Sequence, residues 1–333
     1  MSVRNRIYPV FIPHLGCPYS CVFCNQHEIT GAVDGEAMRQ LNRLNELPPQ
    51  KAACELAFYG GSFTAIPVSQ QLRYLSAAKQ AIDRGVIQTI RLSTRPDAID
   101  RETLQRLKQY CVTTVELGAQ SMRDEVLEAS GRGHSAEDVR RASRLIREAG
   151  LSLVLQMMTG LPGDDDDGAV CTARQLIALQ PNAVRIYPTV IVRGTELENL
   201  WRRGEYREHT VEDAIRVCAK ILPMFEEAGI PVIRLGLNPT EELSGGAALA
   251  GAYHPAMGEL VRSRVLRNRA EDMLENLDCE GKNLTIHVPE KQLSQMIGQK
   301  HCNIEWLKER FGLVSLSVIP DGEINDLIIQ KQY

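Results

Sequence analysis

The sequence predicts an α/β protein that forms a partial or complete (β/α) TIM-like barrel, followed by a small α+β module. Two observations predict this class. Up to about residue 240, short apolar runs alternate with amphipathic stretches, and the runs carry Val, Ile and Leu on both faces, as do parallel strands covered by helices. After about residue 275 the pattern changes to a strand, two helices and a strand.

Seven segments have the composition of barrel strands: residues 8–15, 55–60, 89–94, 114–120, 151–160, 183–192 and 231–237. The gap after each is long enough for a helix. The clearest helix lies between Ser135, which can cap it, and Gly150, which can close it, with Asp138 at the third helical position. The stretch from Thr210 to Gly229 has the same design.

The chain divides into three predicted parts. We expect the barrel over residues 1–240, a connecting or lid segment with a basic helix over 241–275, and the small module over 276–333. The predicted elements of the module are, in order, a strand, two helices and a strand: 282–288, 290–298, 303–312 and 313–319.

The composition excludes several classes of protein. A net charge of -4 over 333 residues excludes a globally basic nucleic-acid binder, although local patches remain possible. The N-terminus lacks the apolar region of a signal peptide, and no apolar run approaches the length of about 18 residues that a membrane span needs. The nine cysteines are odd in number and mostly scattered, which favours a reducing, cytoplasmic location over a disulfide framework.

The most unusual feature is the stretch HLGCPYSCVFCNQHE, which places Cys17, Cys21 and Cys24 within eight positions, with His27 close behind. Four such ligands could hold a structural zinc ion. Three cysteines could instead hold a [4Fe–4S] cluster with one iron open to an exogenous ligand. The motifs GGS, STRPD, GAQS, MMTGLPGDDDD and RIYPT lie at successive strand ends, as one ligand site at a barrel mouth would need, and they favour the cluster.

These motifs resemble those of a known family. Cys17-x3-Cys21-x2-Cys24, with Phe23 before the last cysteine, resembles the signature of the radical S-adenosylmethionine (SAM) superfamily. FYGGSFTAIP, STRPD, VELGAQS, GRGHS, MMTGLPG and IYPTVIVRGTELENLW then follow in the order found in the radical-SAM domain of the Elongator complex's catalytic subunit. Oxygen-independent coproporphyrinogen oxidase is similar more loosely. The resemblance covers roughly residues 8–205.

The resemblance implies two cofactors, a [4Fe–4S] cluster on the three clustered cysteines and SAM. In that superfamily the amino and carboxylate groups of SAM bind the open iron, and one electron then splits SAM into methionine and a 5′-deoxyadenosyl radical. It also implies a one-electron donor of the flavodoxin or ferredoxin type. His27 is then expected to be a loop residue, while His14 either donates a hydrogen bond near the cluster or packs at the strand end.

The resemblance also assigns cofactor contacts to Phe23, Gly60, Gly61, Ser62, Thr94, Gln120, Arg132 and Gln156. Gly60 and Gly61 match the motif that binds the ammonium group of SAM, where a Cβ would obstruct the backbone, although an ordinary strand-end turn is the alternative. Arg132 suits a carboxylate through its planar fork of donors. Gln156 departs from the Asp or His of the relatives, and it can still hydrogen-bond a hydroxyl.

Two charged motifs have structural explanations. The four acids Asp164–Asp167 could suggest a divalent-metal site, but acids at the start of a helix near Ala169 complement its dipole and stay solvated. Arg95 could form an ion pair with Asp97. The other six cysteines show no CxxC spacing, so no second cluster is expected, which weighs against sulfur insertion.

The candidate catalytic residues lie after the barrel motifs, at Arg234, Tyr253 and His254. The glycines of the intervening stretch suggest either a mobile loop over the barrel mouth or a plain surface loop. The chain ends at residue 333, which leaves no room for the acetyltransferase domain of the Elongator subunit, so the use of acetyl-CoA is not expected.

The C-terminal module resembles a KH-type RNA-binding fold, in which a short loop between two helices meets a nucleic-acid backbone. Its loop begins with Gly298 but has His301 where the second glycine of the motif would stand. The arginines at 262, 264, 267 and 269 form a better basic patch, although a solvated helix face explains them too.

The sequence therefore predicts a radical-SAM enzyme that modifies an RNA base, such as one in tRNA. Two alternatives stay open. The first is a radical-SAM enzyme for a small molecule, with tetrapyrrole-like substrates as one possibility. The second is a non-catalytic, metal-bearing RNA-binding protein.

Overall fold

The computed structural model describes residues 6–12, 17, 21–25, 35–50, 52–239 and 243–331, except the side chain of Ser244. The strands of its N-terminal part are β1 Arg6–Phe11, β2 Cys54–Tyr59, β3 Thr89–Thr94, β4 Val112–Gln120, β5 Ser152–Thr159, β6 Ala183–Pro188, β7 Val190–Val192 and β8 Val232–Leu235. All but β7 form one parallel sheet in the order β1-β2-β3-β4-β5-β6-β8. The predicted (β/α) architecture is confirmed as a half-barrel.

Helices connect these strands. They are α1 Glu36–Glu46, α2 Val68–Asp83, α3 Arg101–Gln109, α4 Asp124–Ala129, α5 Ala136–Glu148, α6 Asp166–Ala178, α7 Glu196–Arg202 and α8 Val211–Glu227. The predicted start of α5 is confirmed, since the Ser135 hydroxyl accepts from the Asp138 N–H while the Asp138 carboxylate accepts from the Ser135 N–H. Thr210 and Asp213 repeat this capping box at α8. Gly150 follows α5 with a left-handed φ of 72°.

The hydrophobic core lies between the sheet and these helices. Alternate residues of each strand, such as Ile90 and Leu92 of β3, are fully buried in it. The residues between them, such as Arg91, point to the opposite, concave side of the sheet, which we call the inner face. Ligands of barrel folds bind at this side and at the carboxyl ends of the strands, so its lining defines the site.

The segment 183–192, predicted as one strand, forms two. Thr189 follows β6 and donates both its N–H and its hydroxyl to the Thr159 carbonyl, over 3.0 and 2.8 Å. The chain then leaves the sheet, and β7 pairs antiparallel with β9, Ala248–Gly251. Gly251 has a φ of 89°, and a Cβ there would lie 2.9 Å from the Thr189 carbonyl oxygen. This glycine therefore serves a close backbone approach within a paired strand.

The C-terminal module comprises β10 Asn283–Pro289, α10 Leu293–Ile297, α11 Cys302–Phe311, β11 Ser315–Asp321 and β12 Ile328–Lys331, with α9 Met257–Glu275 before it. Its sheet has the order β11-β10-β12, with β10 parallel to β11 and antiparallel to β12. The predicted order of strand, two helices and strand is confirmed. The sequence does not predict β12, because four residues are too few to show a period. The resemblance to a KH-type fold stays a prediction.

Helix α9 belongs to two apolar cores. Val261 packs in the barrel core, while Leu266, Ala270 and Leu274 pack in the core of the module. The helix therefore ties the module to the barrel, and the predicted part boundaries stay a prediction. Among the helices that the structure describes, none is long and apolar enough to cross a membrane.

Candidate cofactor site at the carboxyl end of the sheet

The loop that carries the clustered cysteines is held by backbone hydrogen bonds on both sides. The Val22 N–H donates to the Ser130 carbonyl over 3.1 Å, and the Val22 carbonyl accepts from the Leu197 N–H over 2.7 Å. Within the loop, the Cys24 N–H donates to the Cys21 carbonyl over 3.0 Å. Ser130 follows α4 and Leu197 begins α7, so both anchors lie at the carboxyl edge of the sheet, where a ligand site is expected.

Arg132 binds the cysteine loop directly. Its Nη1 donates to Cys21 Sγ over 3.1 Å, and its Nη2 donates to the Gly118 carbonyl over 2.7 Å. Arg95 supports it, because its Nη2 donates to the Arg132 carbonyl over 2.6 Å while its Nε forms the predicted ion pair with Asp97 at 2.9 Å. The two hydrogen bonds of Arg132 thus join the cysteine loop to β4. Sequence reasoning missed this contact, since nothing in the spacing joins Arg132 to Cys21.

The turn after β2 reaches the same loop. Cys17 Sγ lies 3.3 Å from Ser62 Oγ. Gly60 has a φ of 99°, and a Cβ there would lie 2.7 Å from the Ile12 carbonyl oxygen, so only glycine fits without displacing the backbone. Gly60 therefore serves the close approach of the end of β2 to the backbone at Ile12. The predicted ammonium contact of Gly60 and Gly61 stays a prediction.

Two other predicted contacts have structural partners. The Thr94 hydroxyl lies 2.6 Å from the Thr64 hydroxyl and accepts from the Thr64 N–H over 3.3 Å, so Thr94 holds the turn that follows Gly60. Phe23 is half-buried and packs with an apolar cluster that includes Ile191 and Leu197. Thr94 and Phe23 therefore lie at the border of the site, where their contacts hold the surrounding backbone in place.

Gln120 stands at a β-bulge where β4 ends. Its φ is 65°, and its Oε1 is buried with no hydrogen-bond partner among the described residues. His134, which sequence reasoning missed although it lies in GRGHS, has its Nε2 3.3 Å from the Ala119 carbonyl. Burial, helped by the charge of Arg132, lowers the pKa of His134 to about 4, so the ring is neutral at pH 7. The buried Gln120 acceptor would be satisfied by a hydroxyl or ammonium group of a ligand.

The inner face carries a buried set of ion pairs, which we call the inner-face network: Glu55, Arg91, Glu116 and Arg185. Glu116 is fully buried and accepts from Arg91 Nη1 over 2.8 Å and from Arg185 Nη2 over 3.0 Å. Arg91 also pairs with Glu55 at 2.6 Å. Gln156 Nε2 donates to Glu116 Oε2 over 3.0 Å, so the network orients this predicted cofactor contact. The sequence contains a signal for this network, because charged residues stand at alternate positions of strands that are otherwise apolar.

Two tyrosines extend the network. Arg185 Nη2 donates to the Tyr59 hydroxyl over 2.9 Å, and its Nη1 lies 3.4 Å from the Tyr187 hydroxyl. Burial, reinforced by the negative charge of Glu116, raises the pKa of Tyr59 to about 12. Both hydroxyls are therefore protonated at neutral pH and can also donate hydrogen bonds.

The three candidate catalytic residues have different surroundings. Arg234 Nε donates to the Gly236 carbonyl over 3.1 Å, and its strand position is in register with Arg185 of β6. His254 Nδ1 accepts from the Ala256 N–H over 3.1 Å at the start of α9. Tyr253 packs against the apolar cluster that joins β7 to the segment after β8. Only Arg234 thus belongs to the inner face.

The sequence predicts that the four acids at the start of α6 stay solvated, and the structure shows otherwise for one of them. Asp165 caps the helix by accepting from the Gly168 N–H over 2.7 Å, and Asp166 pairs with Arg216 at 3.0 Å. The side chain of Asp164 is only 1% exposed, so the expectation that it stays in water is wrong. The loop before α6 folds inward and takes this carboxylate with it.

His14 and His27 lie outside the described residues. Among the residues that are described, no three His, Cys, Asp or Glu side chains converge as ligands of a single metal ion.

The fold and the site define a class of protein, and comparison with known proteins identifies it. Residues 11–176 match the Radical SAM superfamily, and residues 181–267 match the Radical_SAM C-terminal domain. The chain belongs to the radical SAM superfamily. This confirms the resemblance found in the sequence. Membership implies a [4Fe–4S] cluster and SAM as cofactors.

Curated relatives narrow the comparison. The tRNA uridine(34) acetyltransferase of Methanocaldococcus jannaschii is 29% identical over 185 residues, which are 50% of this chain and 34% of the relative. Elongator complex protein 3 of Mus musculus is 26% identical over 212 residues, which are 57% of this chain and 38% of the relative. The match therefore spans little more than a third of the length of these relatives.

Solved structures support the fold. The Elp3 of Methanocaldococcus infernus, with a deleted N-terminus, superposes with a TM-score of 0.59 at 23% identity and covers 80% of this chain and 64% of its own. The coproporphyrinogen III oxidase of Escherichia coli superposes with a TM-score of 0.52 at 16% identity, over 68% of this chain and 53% of its own. At such identities the likeness shows the half-barrel fold alone.

The residues of the site fit the implied cofactors. Cys17, Cys21 and Cys24 supply three free thiols, and Arg132 donates to the sulfur of Cys21. The three do not converge on a single metal ion, and in a [4Fe–4S] cluster each would bind a different iron. Among the described residues, Gln120 Oε1 is a buried acceptor without a donor. An ammonium or hydroxyl group of SAM would supply that donor.

Proposed function

We propose that this chain is a radical SAM enzyme that modifies a base of RNA, with tRNA as the first substrate to test. The observation that carries the proposal is the match to tRNA uridine(34) acetyltransferases, which takes in half of this chain. The finer activity of those relatives, acetyl transfer included, is not part of the proposal.

In the proposal Cys17, Cys21 and Cys24 hold the [4Fe–4S] cluster. A cluster held by these cysteines would supply the electron for the reductive cleavage of SAM. Arg132 donates to the Cys21 sulfur and holds it in place, while the second terminal nitrogen of Arg132 donates to the backbone of β4. The protein thus supplies a fixed, charged group on one side of the cluster and SAM.

The strand ends orient SAM in this proposal. The backbone at Gly60 and Gly61 would receive the ammonium group of SAM, and the buried Gln120 Oε1 would accept a hydrogen bond from it. Gln156 is held by Glu116, so its amide oxygen is free to meet a ribose hydroxyl as an acceptor. A one-electron donor of the flavodoxin or ferredoxin type would dock near Cys17 and Cys24, which are partly exposed.

The test is an anaerobic reaction of the purified full chain with SAM, dithionite and total RNA. Formation of 5′-deoxyadenosine and methionine is measured, and the nucleosides of the RNA are compared by mass spectrometry before and after. Cys24→Ala should abolish 5′-deoxyadenosine, while Cys171→Ala, at an exposed cysteine away from the loop, should retain it.

The outcomes separate the alternatives. A new nucleoside that requires both SAM and Cys24 supports the proposal. Production of 5′-deoxyadenosine with no change in any nucleoside rejects the RNA substrate and favours a small-molecule enzyme. Protein that binds RNA but neither holds iron nor cleaves SAM rejects the enzymatic function altogether.

A further inference from the structure

The inner face holds more arginine charge than carboxylate charge. Arg91 is shared by Glu55 and Glu116, and Arg185 depends on the same Glu116. Arg234 adds a third guanidinium group, and among the described residues no carboxylate lies within ion-pair distance of it. Within the part of the chain that the structure describes, one positive charge on this side of the sheet therefore has no carboxylate partner.

A strand irregularity puts that charge beside the network. The register between β6 and β8 runs from Val184 opposite Val232 to Arg185 opposite Arg234, so Ile233 is an extra residue on β8. Residues in register on parallel strands point to the same face, and such strands lie about 4.8 Å apart. The shift thus sets the Arg234 side chain next to that of Arg185 on the inner face.

The donors around this pair are not used up. Arg185 Nε is buried with no hydrogen-bond partner among the described residues. Arg234 is half-buried, and among the described residues its one hydrogen bond runs from Nε to the Gly236 carbonyl, so both terminal nitrogens can donate to a ligand. The Tyr187 hydroxyl, held by Arg185, is a further donor between them. Two guanidinium groups and a phenol form a recognition set for an oxyanion.

The position of Arg185 and Arg234 favours a contact with the substrate over a purely structural role. Arg185 is in register with Gln156 on β5, and its guanidinium reaches the hydroxyl of Tyr59, which directly precedes Gly60. The pair therefore lies on the inner face beside the cofactor turn, where a group that reacts with SAM has to come close.

We propose that Arg185 and Arg234 form an oxyanion site that takes a phosphate group of the substrate nucleotide. The inference rests on the proposed function, because it assumes an RNA substrate. Phosphate and carboxylate share the chemistry that this site recognises, so the SAM carboxylate is the competing source and the test includes it.

The test uses Arg234→Gln, which removes the surplus charge and leaves every ion pair of the inner-face network intact. Arg264→Gln, at an arginine of α9 paired with Glu212, is the matched control, and Arg234→Lys is the conservative variant. Iron content and the visible spectrum of each protein confirm that the cluster is retained. Binding of bulk tRNA is then measured by filter binding at several salt concentrations, and SAM binding by equilibrium dialysis.

We expect Arg234→Gln to weaken tRNA binding about tenfold, as loss of a charged hydrogen bond would, and to reduce the salt slope by about 0.7. Arg234→Lys should recover part of the loss, and Arg264→Gln should change neither quantity. Unchanged tRNA affinity in Arg234→Gln overturns the inference. A parallel loss of SAM affinity also overturns it, because the charge then serves the cofactor.

A second probe decides the case in which the wild-type protein binds no tRNA, which would be a failure of the proposed function. Binding of uridine 5′-monophosphate and of uridine is compared by calorimetry. Tighter binding of the monophosphate that disappears in Arg234→Gln supports the oxyanion site on its own. Equal affinities for the two compounds overturn it.

Discussion

Helix α9 and the inner face of the sheet each gather arginines, yet their surroundings differ. On α9, Arg262 pairs with Glu226 at 2.8 Å, Arg264 with Glu212 at 2.6 Å and Arg269 with Asp326 at 3.7 Å, and Arg267 stacks 4.2 Å from the Trp306 ring centroid. On the inner face, Arg91 and Arg185 share two carboxylates, and among the described residues Arg234 has none. A cluster of arginines in sequence therefore says little about available charge until its partners are counted.

The two regions also differ in burial, which changes what an ion pair contributes. The Glu116 side chain is fully buried and that of Glu212 is 67% exposed. Removing one member of a buried pair leaves an uncompensated charge in a low-dielectric interior, whereas water screens an exposed pair. The prediction that the α9 arginines bind RNA stays a prediction, and most of them already have a carboxylate.

The largest expected effect comes from Glu116→Gln. It leaves Arg91 and Arg185 facing a neutral amide in the interior, and we expect the free energy of unfolding to fall by about 3–5 kcal/mol. Glu212→Gln, the control on the surface side, should cost about 0–1 kcal/mol. Urea unfolding followed by circular dichroism measures both, and equal losses would show that the two regions do not differ as described.

His134 adds a buried base to the comparison, and among the described residues no carboxylate lies within ion-pair distance of it. Its pKa is about 4 in the folded chain, below the ordinary value of 6.5, so the unfolded chain binds more protons between these pH values. The contribution of His134 to the free energy of unfolding is therefore complete above pH 6.5. It decreases by roughly 1–3 kcal/mol as the pH falls toward 4.

The check for His134 is a pair of pH profiles. His134→Gln should lose less unfolding free energy than the wild type between pH 7 and 4.5. Parallel profiles over that range would show that the histidine is not held neutral.

Asp164 is the opposite case, a buried acid. Its carboxylate oxygens have no hydrogen-bond partner among the described residues, and Arg123 Nη1 lies 3.6 Å away. Burial raises its pKa to about 6, so the folded chain binds more protons than the unfolded chain between about pH 4 and 6. This contribution to stability is present below pH 4 and is lost as the pH rises to 6.

We therefore expect Asp164→Asn to stabilise the protein at pH 8 by about 1–2 kcal/mol and to have no such benefit at pH 4. Asp166→Asn is the control, because its carboxylate pairs with Arg216 and Lys220 and should not gain. Thermal unfolding at both pH values measures the two variants. A lower melting temperature for Asp164→Asn at pH 8 would contradict the prediction.

The smallest expected effect tests the α9 side directly. A triple variant, Arg262→Gln, Arg264→Gln and Arg269→Gln, removes charges that carboxylates already balance, so tRNA affinity should fall less than threefold. Filter binding of the triple variant and of Arg234→Gln, measured in parallel, gives the ratio of their losses in tRNA affinity. A loss larger than that of Arg234→Gln would reverse the comparison and return RNA binding to α9.

The strands and helix ends could be predicted because they depend on local patterns. The capping boxes at Ser135 and Thr210 are confirmed, and each of the seven predicted strands overlaps a strand of the parallel sheet. The prediction of a single strand over residues 183–192 is wrong, because continuous apolar composition cannot show where a strand leaves its sheet. Hydrogen bonds from Thr189 to Thr159, which is 30 residues away, decide that point.

The candidate site divides in the same way. Cys17, Cys21, Cys24 and Gly60 are recognisable from spacing and motif. The contact of Arg132 with Cys21 is not, because the two residues are 111 positions apart. Neither is the buried side chain of Asp164, since a run of four acids is indistinguishable from a solvated helix start until the loop is folded.

By itself the sequence determined the alternation of strands and helices, the family signature and the order of the ligand motifs, because periodicity, caps and short spacings act between near neighbours. Only the tertiary structure decided which charges are balanced. Opposite charges meet across strands that are far apart in the chain, and the β6–β8 register shift alone places Arg234 beside Arg185. Whether a buried charge is paired depends on those distances, which no local pattern contains.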